Sequence, residues 1–317
     1  MRPGPQPAGA EELLSWLAGE KGRSANTVAA YRRDLAAYGR FLSGRGLAPA
    51  EVTETVVEDY LGVLRATGRA PASVARALVS VRALHRFLET EGRATGNPAG
   101  HVGPPRVAAG PPWALSEQEA SRLLEAVVGD DATTRRDRAI VEVLYACGLR
   151  VSELVGLSLG DVDLDGGLLR VGGGDGPAAA RGRERVVPVE GPAAAALVAW
   201  LSPSGRGALA PVRWARRGDA DAVFLNARGG RLSRQGAWRI VNHYGEKVGL
   251  AGRLTPHVLR HSCATHMIDH GADIRVVQEL LGHASMSSTQ AYTRGSTDRL
   301  RRAYRSAHPR AGDEKPR

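Results

Sequence analysis

Residues 97–112, NPAGHVGPPRVAAGPP, break the chain with five prolines and no apolar periodicity. Such a stretch neither continues a helix nor pairs inside a sheet, so it reads as an extended linker between two separately folding parts. A length of 317 residues supports two domains with real cores. We place a first domain over 1–105, a linker over 106–112 and a second domain over 113–317.

Ahead of the break, residues 1–9 are expected to be disordered, and helical patterns run over about 11–19, 26–43, 53–67 and 72–91. The second of these starts at Asn26-Thr27 as its cap and carries Val28, Tyr31, Leu35, Tyr38 and Leu42 as a core-facing stripe. The fourth buries Val74, Leu78, Val81 and Leu88. Arg33 and Arg40 lie seven apart on another face, and Arg82 and Arg86 are four apart, so these four are candidate phosphate contacts against the plainer reading of a solvated face. Beyond the break, helices are expected at about 116–128, 133–147, 191–201 and 233–248, with β-runs at about 162–171 and 185–189. Gly148 ends one helix, leaving Arg150 in a turn before Ser152 caps the next. Residues 202–221 read as an Arg-rich surface loop. The fold class is therefore mainly α: a helical N-terminal domain followed by a mixed, mostly α domain with a small antiparallel sheet.

Forty of the 43 basic residues are arginine and the net charge is +10. Residues 1–110 hold 14 basic and 10 acidic side chains and the remainder 29 and 23, so both halves are basic. Two basic domains joined by a linker fit a clamp on a polyanion, although charge alone does not separate DNA from RNA or an anionic membrane. Cys147 and Cys263, each among apolar neighbours, suit packing rather than a disulfide or zinc site. No 18-residue apolar run exists and the Pro/Gly-rich start lacks a signal-peptide core, so a cytoplasmic protein is expected.

The stretch from Thr255 to Tyr292 carries the chemistry. Thr255-Pro256 is a helix start, and His257 and Arg260, three apart, share a face. Gly282 follows Leu280-Leu281 as a helix stop and turns His283 inward, and Tyr292 lies nine residues on. Arginines to hold non-bridging oxygens, imidazoles to move protons and a phenol to attack together suit a phosphodiester. Each residue alone has a plainer role: a packing tyrosine, a capped helix start, a helix-end histidine. The ordered combination outweighs those roles. His261 and His266 share the helix but no chemical step needs them, so they are read as structural.

With Arg150 in LYACGLRVSELVGL, His257-x-x-Arg260, His283 in LLGH and Tyr292 in TQAYTR, the chain closely resembles the tyrosine recombinases of the phage-integrase family, Xer type, over nearly its whole length. The resemblance implies that Tyr292 attacks the scissile phosphate to leave a 3′-phosphotyrosine. It implies that Arg150, His257, Arg260 and His283 complete the catalytic set, and that Glu153 orients Arg150. It further implies a helical core-binding domain, double-stranded DNA as partner, and no ATP, metal or other cofactor. Four protomers, alone or with a related recombinase, would act on paired sites, with a septal DNA translocase as activator. The role would be chromosome dimer resolution by a nucleoid-associated protein.

The family's hairpin carries a lysine, and here it reads VGGGDGPAAARGRERVVPV without one. Counting forward from Arg150 lands on Gly174, whereas aligning back from Arg185-Val186-Val187-Pro188 puts Arg181 in the lysine's place, the register we prefer. Arginine is a poor acid, so Arg181 would serve as a hydrogen-bond donor. Two other readings stay open: a mobile-element integrase or transposase of the same chemistry, and a DNA-binding protein with impaired catalysis. The first is disfavoured because the start is too short for an arm-binding domain, the second by the intact Arg150, His257, Arg260, His283 and Tyr292.

Overall fold

The computed structural model describes residues 6–103, 113–172, 184–282 and 294–311. The chain divides into two compact units, 1–110 and 111–317.

Among the described residues the first unit holds four α-helices, α1 (Ala10–Gly19), α2 (Ala25–Ser43), α3 (Glu54–Ala66) and α4 (Pro71–Thr90). Leu13, Leu17, Leu35, Tyr38, Leu42, Tyr60, Leu61, Val74, Leu78, Val81 and Leu88 form one core. The α2 stripe thus packs as its spacing predicts. The cap of α2 differs: it is Ser24, whose Oγ accepts from the Thr27 N–H at 3.2 Å. A serine three residues ahead of the acceptable donor outcompetes Asn26, which lies one turn position too late. Two polar links reach into this core, each with one buried partner at least. Arg76 grips Asp34 with two nitrogens at 2.9 and 3.0 Å, and Tyr38 Oη lies 2.9 Å from His85 Nε2.

The described residues nearest both ends of this unit are packed, against what their composition implies. The Gln6 side-chain amide donates to the Arg32 carbonyl at 3.0 Å, and Gly9 (φ +81°) lies against Leu88, so 6–9 are packed rather than disordered. Residues 97–102 also fold back: Ala99 and Val102 are buried, held by Arg82, whose Nε donates to the Ala99 carbonyl at 2.9 Å and whose Nη2 donates to that of Val102. Two small apolar residues among the prolines are enough to anchor the first part of the expected linker.

The second unit opens with α5 (Glu117–Glu125) behind a Ser116/Glu119 capping box, then α6 (Ala132–Ala146) capped by Asp131. From Ala139 to Ala146 every residue of α6 is buried, so this helix is the unit's axis. After α7 (Val151–Gly156) come strands β1 (Val162–Asp163), β2 (Leu168–Val171) and β3 (Arg185–Pro188), antiparallel in the order β1-β2-β3 with Leu169 opposite Val187. The expected run 162–171 is split in two because Asp163 Oδ1 accepts from the Gly166 N–H and Gly167 takes φ +60°, a tight reversal. Helices α8 (Gly191–Leu201), α9 (Arg234–Lys247), α10 (Pro256–Asp269), α11 (Ile274–Leu281) and α12 (Arg294–Ala307) complete the unit. The 202–221 segment is not wholly irregular: Ser202 caps a π-turn at Pro203–Gly207, and Arg206 Nε donates to the Ala222 carbonyl at 2.8 Å. Cys147 and Cys263 are both fully buried thiols, beside the end of α6 and within α10.

The sequence predicts that the tail from about 296 to 309 docks on a neighbouring protomer through Leu300 and Tyr304; in this chain both residues are instead buried in the unit's own core, with Tyr304 stacked on His308 at 4.8 Å between centroids. Arg305 pairs with Glu190, Arg299 with Glu279 and Arg310 with Glu142, so charge holds the helix where the stripe has docked.

Candidate active site

A single carboxylate organises the site. Arg150 is the residue that precedes α7, and Glu153, in the helix's first turn, reaches back to accept from the Arg150 N–H at 2.7 Å. The start of α7 is therefore held by the Glu153 carboxylate and not by Ser152, because a carboxylate three residues on meets the first free N–H of the helix. The same carboxylate accepts from Arg150 Nη1 at 2.8 Å. It also accepts from Arg185 in a two-pronged fork, Nη1 at 2.9 Å and Nη2 at 3.0 Å, while Arg260 Nη1 stands 3.7 Å away. Three guanidiniums thus surround one carboxylate, leaving the cluster with net positive charge. Burial alone would raise the Glu153 carboxyl, but hydrogen bonds and charge from Arg185, with help from Arg150, hold it below its ordinary value.

The three arginines differ in what they can still do. The Arg150 side chain is 44% exposed and its Nη2 lies 3.3 Å from the Gly282 carbonyl. Arg260 is buried; its Nη1 donates to the Gly148 carbonyl at 2.6 Å and its Nη2 to that of Leu281. Its pKa is pushed down to about 10, first by burial and then by the charge of Arg150, which leaves it cationic at neutral pH. A guanidinium carries five N–H donors, so these bonds do not exhaust Arg260. His257 is exposed on the first turn of α10, whose Thr255 cap accepts from the Val258 N–H as the sequence predicts. Gly282 ends α11 with φ +66°, again as expected. Gly174, Arg181, His283 and Tyr292 lie outside the described residues.

Arg150 opens onto a groove of about 1380 Å³. Arg216, Arg217, Arg228 and Arg234 line it, all of them exposed. Arg231, half-buried in its wall, donates to the Val155 and Leu157 carbonyls at 3.1 and 3.0 Å and to that of Gly218 at 3.2 Å. The lining suits a phosphate backbone better than a small apolar ligand. On the first unit Arg33, Arg40 and Arg86 are exposed, whereas Arg82 is turned inward as the strap on residues 97–102.

Sequence reasoning overlooked Arg185, using it only as a register mark, because a basic residue in a β-hairpin normally faces water. Its signal was its inward position on the strand, in phase with the buried Val187. His266 is structural as expected: its ring bridges Tyr145 Oη at 2.8 Å and the Leu115 carbonyl at 2.7 Å.

Residues 114–299 match the phage integrase family, and residues 10–92 match the phage integrase N-terminal SAM-like domain. The chain therefore belongs to the phage integrase family, the tyrosine recombinases, DNA strand-exchange enzymes with a tyrosine nucleophile. Its curated relatives are of the Xer type. The chain is 44% identical to tyrosine recombinase XerD of Mycobacterium tuberculosis over 94% of its own length and 96% of that protein's. It is 41% identical to XerD of Bifidobacterium longum (95% and 97%), and 40% identical to XerC of Pelotomaculum thermopropionicum (95% and 98%). Among solved structures, the XerH recombinase bound to a palindromic difH substrate aligns with TM-score 0.66 and 21% identity, covering 93% of this chain and 84% of that one. The Tn1549 transposon integrase, in complex with a circular intermediate DNA, aligns with TM-score 0.69 and 19% identity, covering 91% and 96%. At these identities the structures establish the fold.

Proposed function

We propose that this chain is a Xer-type site-specific recombinase in which Tyr292 attacks the scissile phosphate, and Arg150, Arg260, His257 and His283 stabilise the charge that develops there. The 5′-hydroxyl leaves, the 3′-phosphate is held on the phenol, and a second 5′-hydroxyl reverses the step on a new partner strand. The phosphodiester's energy is conserved in the tyrosyl ester, so exchange needs no external energy source. One observation carries the reading. Residues 150 and 260, distant in sequence, converge on Glu153, and Arg150 also reaches the backbone of Gly282, the residue before His283. Positive charge gathered there favours both the phosphate and the phenolate of an attacking tyrosine.

Arg181 is our candidate for the donor that assists the leaving oxygen, in place of the family's lysine. Arg33, Arg40 and Arg86, with Arg82 in a supporting place, are proposed to bring the first unit to the DNA backbone. We further propose a tetramer, formed alone or with a related recombinase on paired sites, a septal translocase as activator, and chromosome dimer resolution in the cytoplasm as the setting. The identity to Xer proteins over nearly the whole chain supports the chromosomal role over a mobile-element one.

The test is a nicked suicide duplex whose sequence the protein has itself selected from a random pool. The wild type is expected to accumulate a covalent adduct, and Tyr292→Phe none, with duplex affinity kept within about threefold because only the attacking oxygen is lost. An undiminished adduct in Tyr292→Phe would assign the nucleophile elsewhere.

A further inference from the structure

We infer that Arg185 is a positioning residue for strand cleavage: it fixes Glu153, and through it Arg150 and Arg260, against the helix end that leads to His283. The inference rests on the catalytic reading above. Arg185 is 5% exposed, and all three of its guanidinium nitrogens are directed inward. Two grip the two oxygens of Glu153, and Nε donates to the Leu280 carbonyl at 2.8 Å. A side chain so committed does not take a phosphate itself, so any effect on the reaction passes through what it holds.

What it holds is specific. A Cβ placed on Gly282 would lie 3.1 Å from Arg185 Cδ and Nη1 and 3.2 Å from Nε, so the Gly282 backbone lies directly on the guanidinium. The left-handed φ of +66° at Gly282 is thus backed by a flat, charged floor. Arg185 joins three pieces: strand β3, the Glu153 carboxylate and the C-terminal turn of α11. Each borders a segment that carries a proposed site residue. Arg181 stands four residues before Arg185, Arg150 is bonded to Glu153, and His283 follows Gly282. A buried ion pair contributes little net stability compared with well-packed apolar side chains, so stability alone gives a weak reason for a charge here. A planar fork that accepts only one orientation of a carboxylate gives a better one.

The experiment compares Arg185→Met and Arg185→Lys with wild type on the selected, nicked duplex. It reads single-turnover cleavage at saturating DNA, duplex Kd and melting temperature. Misplacing catalytic groups by about 1 Å typically costs about 10²-fold in rate. We expect Arg185→Met to cleave about 10²-fold more slowly with Kd changed less than about threefold. Arg185→Lys keeps the charge but loses the fork, and is expected to fall between, melting near wild type. A Glu153→Gln background separates positioning from a general structural role. If Arg185 acts through Glu153, adding Arg185→Met there slows cleavage little further. Full-rate cleavage by Arg185→Met or Arg185→Lys, a loss confined to Kd, or slowing that multiplies with Glu153→Gln would each overturn the inference. Should Arg185→Met fail to fold, Arg185→Lys alone decides by rate at saturation. Tyr292→Phe run alongside keeps the two ideas apart: cleavage by that variant defeats the catalytic reading, whereas an inactive Tyr292→Phe with a fully active Arg185→Met defeats only this one.

Discussion

Neutralising Glu153 is the sharpest perturbation of this protein that leaves shape intact. Glu153→Gln removes one negative charge from among three guanidiniums and sets an amide NH2 against their N–H groups. The pairs at 2.8 and 2.9 Å would each be worth about 6 kcal/mol at an effective dielectric near 20. The third, at 3.7 Å, is comparable, and Arg150, 44% exposed, counts for less because water screens it. Desolvation of the carboxylate takes back several kcal/mol, so the net loss expected on breaking such a buried cluster is about 3–5 kcal/mol. For a unit of roughly 200 residues, each kcal/mol moves Tm by about 2–4 °C, giving a fall of about 10 °C. Tryptophan fluorescence is the suitable probe, because four of the five tryptophans, at 113, 200, 214 and 238, lie in the second unit. The three arginines, left without their counter-charge, should then bind anions more tightly, so sulfate should narrow the deficit relative to chloride by mass action. A Glu153→Gln melt within about 2 °C of wild type, in chloride, would refute the view that this carboxylate is the site's organising charge.

Acid should destabilise both units through buried histidines. Burial lowers His85 to about 4 and His308 to about 3 from an ordinary value near 6.5, so the unfolded chain binds their protons first. Stability is then complete above about pH 6.5 and falls as pH drops below it, by about 2 kcal/mol per histidine between pH 7 and 5. Melts of wild type and His85→Gln at the two pH values check this, and an equal pH response in the two proteins would remove His85 as a cause. Tyr304→Ala is expected to cost about 3–5 kcal/mol as a fully buried aromatic truncation. A cost below about 0.5 kcal/mol, as for a surface site, would mean that α12 is not docked on its own unit in solution.

Much of this architecture was legible because apolar spacing and caps act locally. The stripe of α2, the Thr255-Pro256 start of α10 and the Gly282 stop of α11 follow from a few neighbouring residues each. The proposed site residues could be named for a related reason: their order along the chain is itself the signal. What stayed hidden depends on distant partners. Arg185 becomes a buried fork only because Glu153 and the Leu280 carbonyl meet it, and neither is near it in sequence. Arg82 looked like a phosphate contact by helical spacing, yet carbonyls about twenty residues on claim it. The tail's apolar pair was visible, but periodicity marks a face that must be covered without naming what covers it.

The two cysteines offer a view of this unit in motion. Both thiols are fully buried, and Cys263 is pushed up to about 12 by burial, so the reactive thiolate is scarce as well as shielded. Cys147 Sγ lies 3.4 Å from the Pro188 carbonyl at the end of β3, and Cys263 Sγ touches the backbone of Ala146 at 3.8 Å. They therefore sit between α6, α10 and β3, the layer that carries Arg185 and Arg260. A maleimide added to native protein can modify them only when that layer parts. The labelling rate becomes a clock for opening beneath the candidate site, and it does not register fluctuations confined to the first unit, whose sequence holds no thiol.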